Sequence, residues 1–127
     1  MPNMRLLILL LLCGTLHAIE MRIYVMGLLY RGPNATPEVT ETSKKLQAGH
    51  MANISKMAAD GHLLIAGPMA GQGDLRGIFI FDTDDVKKAQ EWCDQDPAIQ
   101  AGTLRVELHQ WYAAKGLTYD KSSEKKP

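Results

Sequence analysis

The segment from Lys45 to Met69, KLQAGHMANISKMAADGHLLIAGPM, constrains the fold most, because it joins the end of a long helix, a glycine stop and a buried strand. In its helical part, the apolar positions recur at spacings of three and four residues, so they share one face. An imidazole on that face needs a hydrogen-bond partner, because burial without one costs about 1–3 kcal/mol. The sequence therefore predicts a polar partner for the histidine of this stripe, which consists of Leu46, His50, Ile54 and Met57.

The apolar patterns along the chain predict four strands and two helices in the order βαββαβ. Turn clusters rich in Gly, Pro, Asn and Asp separate most of them. The predicted elements are strand one over Met21–Tyr30, helix one over Pro37–Asp60 with Thr36 as its N-cap, strand two over His62–Met69, strand three over Arg76–Asp82, helix two from a cap at Thr83 or Asp84 to Asp96, and strand four over Thr103–Tyr112.

This order is typical of an α+β fold, the split βαβ or ferredoxin-like sandwich, with one antiparallel sheet and two helices on one face. Strands one and three carry large apolar side chains on both faces. Two helices can cover only one face of a four-stranded sheet, so the other face needs a second cover. We therefore predict a homodimer whose sheets pack face to face and enclose a cavity with polar groups from strand four.

Composition and charge narrow the range of partners. The chain is 46% hydrophobic and 22% charged, which is typical of a soluble globular domain. Lys plus Arg and Asp plus Glu are equal at 14 each, without a basic run before the last few residues, which argues against nucleic acid as a partner. The four histidines show no metal-ligand spacing. The sequence predicts a small-molecule ligand or a second copy as partner, and neither metal nor cofactor.

The N-terminus has the three parts of a secretory signal peptide, here predicted over residues 1–18 with cleavage after Ala18. Its apolar run, Leu6–Leu12, is shorter than the roughly 20 residues that span a bilayer, so a stable membrane span is not expected. This predicts an exported protein, periplasmic or secreted. The alternative is a true start at Met21, which would leave the protein in the cytoplasm. Residues 117–127 lack apolar periodicity and predict a disordered tail.

Asp96 is the candidate partner of His50. A carboxylate on one imidazole nitrogen fixes the tautomer and lets the other nitrogen act as a general acid or base. The alternative is that Asp96 only caps the turn that begins at Pro97, while His50 is a core histidine with a satisfied hydrogen bond. Spacing alone leaves both interpretations open.

Five short motifs, taken together, resemble the YCII-like (YCII-related) proteins over residues 21–116. The resemblance implies a ferredoxin-like dimeric α+β barrel, and it matches His50 and Asp96 to the histidine and aspartate taken as that family's active site. One type of relative removes HCl from chlorinated hydroxyquinol-like aromatics. The motifs are Gly49-His50, Leu63 to Pro68, Asp74 to Gly77, Asp94 to Pro97 and Ala101-Gly102.

The resemblance favours a cofactor-free enzyme in which His50 and Asp96 transfer a proton on a small cyclic or aromatic substrate, in a lyase-like or isomerase-like reaction. The alternative is a non-catalytic dimeric module for ligand binding or assembly. Further candidates for substrate binding are Asp74, Arg76 and Tyr24. The first two could instead form an ion pair that orders the preceding glycine-rich loop.

Overall fold

The computed structural model describes residues 18–117, so the predicted signal peptide and tail lie outside the described residues except for Ala18 and Leu117. None of the helices within this range has the length and apolar composition needed to cross a membrane. The elements are β1 Met21–Arg31, α1 Glu41–Ala59, β2 Leu63–Pro68, β3 Leu75–Phe81, α2 Val86–Cys93, α3 Pro97–Gln100 and β4 Leu104–Ala114.

The four strands form one sheet in the order β2-β3-β1-β4. Every neighbouring pair is antiparallel, and β1 lies inside the sheet between β3 and β4. This arrangement of a βαββαβ chain is the ferredoxin-like α+β fold, so the predicted fold class is confirmed.

The helices pack on one face of the sheet, where the core lies. Val25, Leu29 and Phe79 are buried there against Met57 of α1. The side chains that alternate with these along β1 and β3 project from the opposite face. They include Met26, Leu28 and Ile78, which are half-buried, and they have no place in the core cluster.

Helix α1 begins four residues later than predicted. Its N-cap is Thr40, whose side chain accepts from the Ser43 backbone N–H while the Ser43 hydroxyl accepts from the Thr40 N–H. This reciprocal capping box stabilises the start at Glu41. The predicted cap, Thr36, was wrong, and the residue lies instead in the loop that precedes the helix.

Helix α2 also begins later than predicted, because Asp85 is its N-cap. The Asp85 carboxylate accepts from the backbone N–H groups of Lys87 and Lys88. Thr83, a predicted cap, instead accepts from the Asp85 N–H. The predicted turn that begins at Pro97 forms the short helix α3.

Candidate active site

Helices α1 and α3 approach each other closely at Gly49. A Cβ at this position would lie 2.7 Å from Cγ of Pro97, closer than two such carbons can come. Only glycine therefore permits the observed approach. Asp96 directly precedes α3, and His50 directly follows Gly49 on α1. The close approach of the two helices therefore places the Asp96 carboxylate beside His50.

The two polar groups form a hydrogen bond. Nδ1 of His50 lies 2.5 Å from Oδ2 of Asp96. The other oxygen, Oδ1, accepts from the backbone N–H of Ala98 at 2.9 Å and so caps α3. The carboxylate is fully buried, and each oxygen has its own partner. The cap and the histidine contact, alternatives on spacing alone, therefore exist together.

His50 is held with one ring nitrogen inward. Its side chain is 13% exposed, and its ring lies over Phe79 with the ring centroids 6.3 Å apart. When the imidazole is neutral, a bond from Nδ1–H to the carboxylate leaves the lone pair on Nε2. Among the described residues Nε2 has no hydrogen-bond partner. The arrangement provides an oriented general base, or an acid once protonated.

The His50 ring lines a cavity of about 470 Å³ between α1 and the sheet. This volume is in the range of about 300–1,000 Å³ that is usual for small-molecule sites. The cavity lies on the helix side of the sheet, whereas the predicted cavity lay between two sheets. Its walls combine apolar side chains, Leu29, Leu46, Ile54, Phe79 and Leu104, with polar ones, Thr36, Ser43, Gln47 and Thr103.

Arg76 reaches this cavity because of an irregularity in β3. Leu29 pairs with Gly77 and Tyr30 pairs with Leu75, so one step along β1 corresponds to two steps along β3. Arg76 is the extra residue, and it is one of the residues that line the cavity. A bulge of this kind turns a side chain to a face that regular alternation would deny it.

The predicted ion pair between Asp74 and Arg76 is absent from the salt bridges of residues 18–117. Arg76 Nη1 instead donates to the carbonyl oxygens of Gly71 at 3.0 Å and Gly73 at 3.2 Å. Arginine therefore does order the glycine-rich loop, but through backbone carbonyls. Asp74 is exposed and does not line the cavity.

Tyr24, the third candidate for substrate binding, lies away from this cavity. It is 1% exposed, its hydroxyl lies 3.4 Å from the Ala114 carbonyl oxygen, and its ring is near Trp111. Arg31, which was not among the residues predicted from sequence, also lines the cavity. Its position two residues after Leu29 on the same strand was the available signal, since such residues share a face.

Cys93 of α2 is a buried free cysteine. Burial, with smaller contributions from the charges of Asp96 and Asp94, raises the pKa of its thiol to about 12. The thiol therefore stays protonated at neutral pH, and protonated thiols are poor nucleophiles. Residues 18–117 contain no group of three His, Cys, Asp or Glu side chains that could hold a metal ion.

Comparisons with known proteins identify the family. A search of curated proteins finds no match to this chain. One similar solved structure is the 5-chloro-2-hydroxyhydroquinone dehydrochlorinase TftG from Burkholderia phenoliruptrix AC1100, in complex with 2,5-dihydroxybenzoquinone. It is 21% identical with a TM-score of 0.48, and the match covers 68% of this chain and 92% of that chain. The family model of the YCII-related domain matches residues 23–112, and this chain therefore belongs to the YCII-related family.

Proposed function

We propose that the protein is a cofactor-free enzyme in which His50 transfers a proton on a small cyclic or aromatic substrate while Asp96 orients the imidazole. The observation that carries this proposal is the hydrogen bond between Nδ1 and a fully buried carboxylate on a histidine that lines a cavity. A core histidine of purely structural use would be sealed from such a space.

The chemistry follows from the free nitrogen. Nε2 takes a proton from a C–H or O–H group of the substrate, and the Asp96 carboxylate stabilises the imidazolium that forms. The electron pair left on the substrate forms a new double bond and either expels a leaving group or accepts the proton back at another atom. The first outcome is a lyase-like elimination, and the second is an isomerisation.

His50→Asn and Asp96→Asn test the proposal. The assay follows chloride release from chlorinated hydroxyhydroquinones, and exchange of ring hydrogens with deuterated solvent for a panel of hydroxylated rings. We expect wild-type turnover on at least one compound and a loss of about 10²-fold or more in each variant, since general base catalysis contributes about 10²–10⁴-fold. Asp85→Asn, which alters a cap of the same type on α2, should keep wild-type turnover.

Circular dichroism melting establishes that the variants are folded. Turnover that survives in folded His50→Asn overturns the proposal. Saturable ligand binding by a wild-type protein that turns over none of the panel would instead favour the non-catalytic module, with the cavity used only to hold a small molecule.

We also propose that the protein is a homodimer joined through the sheet face opposite the helices. The half-buried apolar residues Met26, Leu28 and Ile78 support this, because a second sheet would remove them from water. Light scattering coupled to size exclusion should give a dimer mass for wild type and for Ser55→Glu, an exposed position on α1. Leu28→Glu should give a monomer. A wild-type monomer at micromolar concentration overturns the proposal.

Export is a further proposal, and it depends on the sequence of residues 1–18. Expression in a bacterial host should deliver the full chain to the periplasm, with a mature N-terminus at Ile19. A chain that begins at Met21 should stay in the cytoplasm. Equal cytoplasmic retention of both chains would contradict the proposal.

A further inference from the structure

We infer that the ligand of the cavity carries an acidic group, namely the carboxylate of a small cyclic or aromatic acid, and that Arg31 and Arg76 bind it. The inference rests on the proposed function, since both concern the same cavity, but it is carried by different residues. It specifies the chemical class of the substrate, which the His50 contact leaves open.

The first observation is the sign of the charge in the cavity. Arg31 and Arg76 both line it, and none of the lining side chains among the described residues is acidic. Asp96 is the nearest carboxylate to His50, yet it is fully buried behind the imidazole. A cavity with cationic groups and largely apolar walls favours an anion, because charges interact more strongly where little water screens them.

The second observation separates these arginines from the others in the described range. Arg22 pairs with Asp82 at 2.8 Å, and Arg105 pairs with Glu107 at 3.0 Å. Arg31 and Arg76 form no salt bridge with any residue between 18 and 117. The cations that face the cavity are therefore the ones left for an external anion.

The third observation is that Arg76 is held in place without being neutralised. Arg76 lies at the bulge of β3 and is one of the residues that line the cavity, and the Gly71 and Gly73 carbonyls bind its Nη1. Carbonyl groups fix a guanidinium but leave its charge intact, and the remaining N–H groups have no partner among the described hydrogen bonds. Such a pre-positioned planar fork matches the two oxygens of a carboxylate.

Arg31 joins the same end of the site through the backbone. Its N–H donates to the carbonyl oxygen of Asp74 at 3.0 Å, which ties the end of β1 to the segment that carries Arg76. The His50 ring lies over Phe79. Phe79 is three residues from Arg76 along β3, which corresponds to about 10 Å of strand. A ring with a carboxylate held by the arginines can therefore present its other edge to Nε2.

Isothermal titration at low ionic strength with two matched probes tests the inference. Benzoate and benzamide have the same ring and nearly the same shape, but only benzoate is charged. We expect the wild-type chain to bind benzoate at least about 10-fold more tightly than benzamide, and Arg31→Gln and Arg76→Gln each to reduce that preference by about 10-fold, as expected for loss of one charge-assisted contact. Arg22→Gln, which removes a cation outside the cavity, should leave the preference unchanged.

Arg31→Gln is the cleaner variant, because the Arg76 side chain also holds the glycine-rich loop, and Arg76→Lys keeps the charge there. Equal affinity for the two probes, no measurable binding of either, or a preference unchanged in both glutamine variants overturns the inference. His50→Asn separates it from the proposed function. A benzoate preference that persists while His50→Asn leaves turnover intact defeats only the catalytic proposal, whereas His50-dependent turnover without an arginine-dependent preference defeats only the present inference.

Discussion

Helices α2 and α3 each have an aspartate as N-cap, and the two aspartates differ in burial and in their contacts. Asp85 caps α2 with Oδ1 alone and remains half-buried. Asp96 caps α3 with Oδ1, is fully buried, and uses Oδ2 for His50. The local motif is the same in both places. A tertiary contact at the second oxygen is what makes one of them a candidate site.

The difference originates in the surroundings of the two helix starts. Nothing in the described structure places an imidazole on Asp85. Near Asp96, Gly49 has no side chain, so α1 packs closely against Pro97. His50, the residue after Gly49, therefore lies within hydrogen-bond distance of Asp96. A single glycine on one helix therefore decides the role of a carboxylate on another.

The largest expected effect is on stability, on replacing each aspartate by alanine. Asp96→Ala removes a cap, worth about 0.5–2 kcal/mol, and leaves the buried His50 nitrogen without its partner, which adds about 1–3 kcal/mol. We expect urea unfolding to show a loss of about 2–4 kcal/mol. Asp85→Ala loses the cap alone, about 1 kcal/mol. Equal losses in the two variants would show that the second contact contributes nothing.

A double-mutant cycle isolates the second contact itself. The cycle combines His50→Ala with Asp96→Ala, and we expect a coupling energy of about 1–3 kcal/mol, as for contacting groups in one buried network. The matched control is the exposed pair Lys56 and Asp60 on α1, at 2.8 Å, where solvent screening should leave a much smaller coupling. A coupling energy of zero between His50 and Asp96 would contradict a specific interaction.

Gly49→Ala tests whether the close packing at Gly49 is the reason that Asp96, unlike Asp85, contacts a histidine. In an ordinary helix interior this change gains about 1 kcal/mol, because glycine is a poor helix former. Here the added Cβ would meet the Pro97 ring at 2.7 Å, so overpacking of about 1–3 kcal/mol should win and give a net loss of up to about 2 kcal/mol. Ala48→Gly, at the exposed neighbouring position, calibrates the helix term. A stabilised Gly49→Ala would mean that α1 and α3 are less closely packed.

The fold could be predicted from sequence because it depends on local periodicity. Within residues 18–117, alternation and helical spacing predicted the four strands and helices α1 and α2 to within about four residues at their boundaries. The start of α1 was wrong because Thr36 and Thr40 both precede acidic residues, and only the reciprocal bonds with Ser43 distinguish them. The Ser43 hydroxyl therefore determines that Thr40, and not Thr36, is the N-cap.

The site could be predicted only in part. His50 drew attention as a polar residue on an apolar stripe, and Asp96 as a residue before proline, but their contact depends on Gly49 packing against α3. Arg76 was predicted as a substrate-binding residue, but its place in the cavity could not be predicted. It depends on a bulge, and a bulge is defined by the pairing of two strands and not by either sequence alone. Arg31 was missed because the cavity it lines forms only after α1 docks on the sheet.

The smallest expected effect is the contribution of Asp96 to the pKa of the Cys93 thiol. Burial, helped by the Asp96 charge, raises the thiol pKa to about 12, against an ordinary value of 9.0. From pH 9 to pH 12 the unfolded chain therefore loses a proton that the native state keeps, so stability falls as pH rises, by at most about 1.4 kcal/mol per pH unit. Urea unfolding of wild type and Cys93→Ala between pH 8.5 and 12 isolates this slope, because all other groups titrate in both. In an Asp96→Asn background the slope should begin to level off at a lower pH, since the thiolate loses a repulsive neighbour, whereas Asp85→Asn should leave it unchanged. An identical response in both backgrounds would mean that burial alone controls the pKa of the thiol.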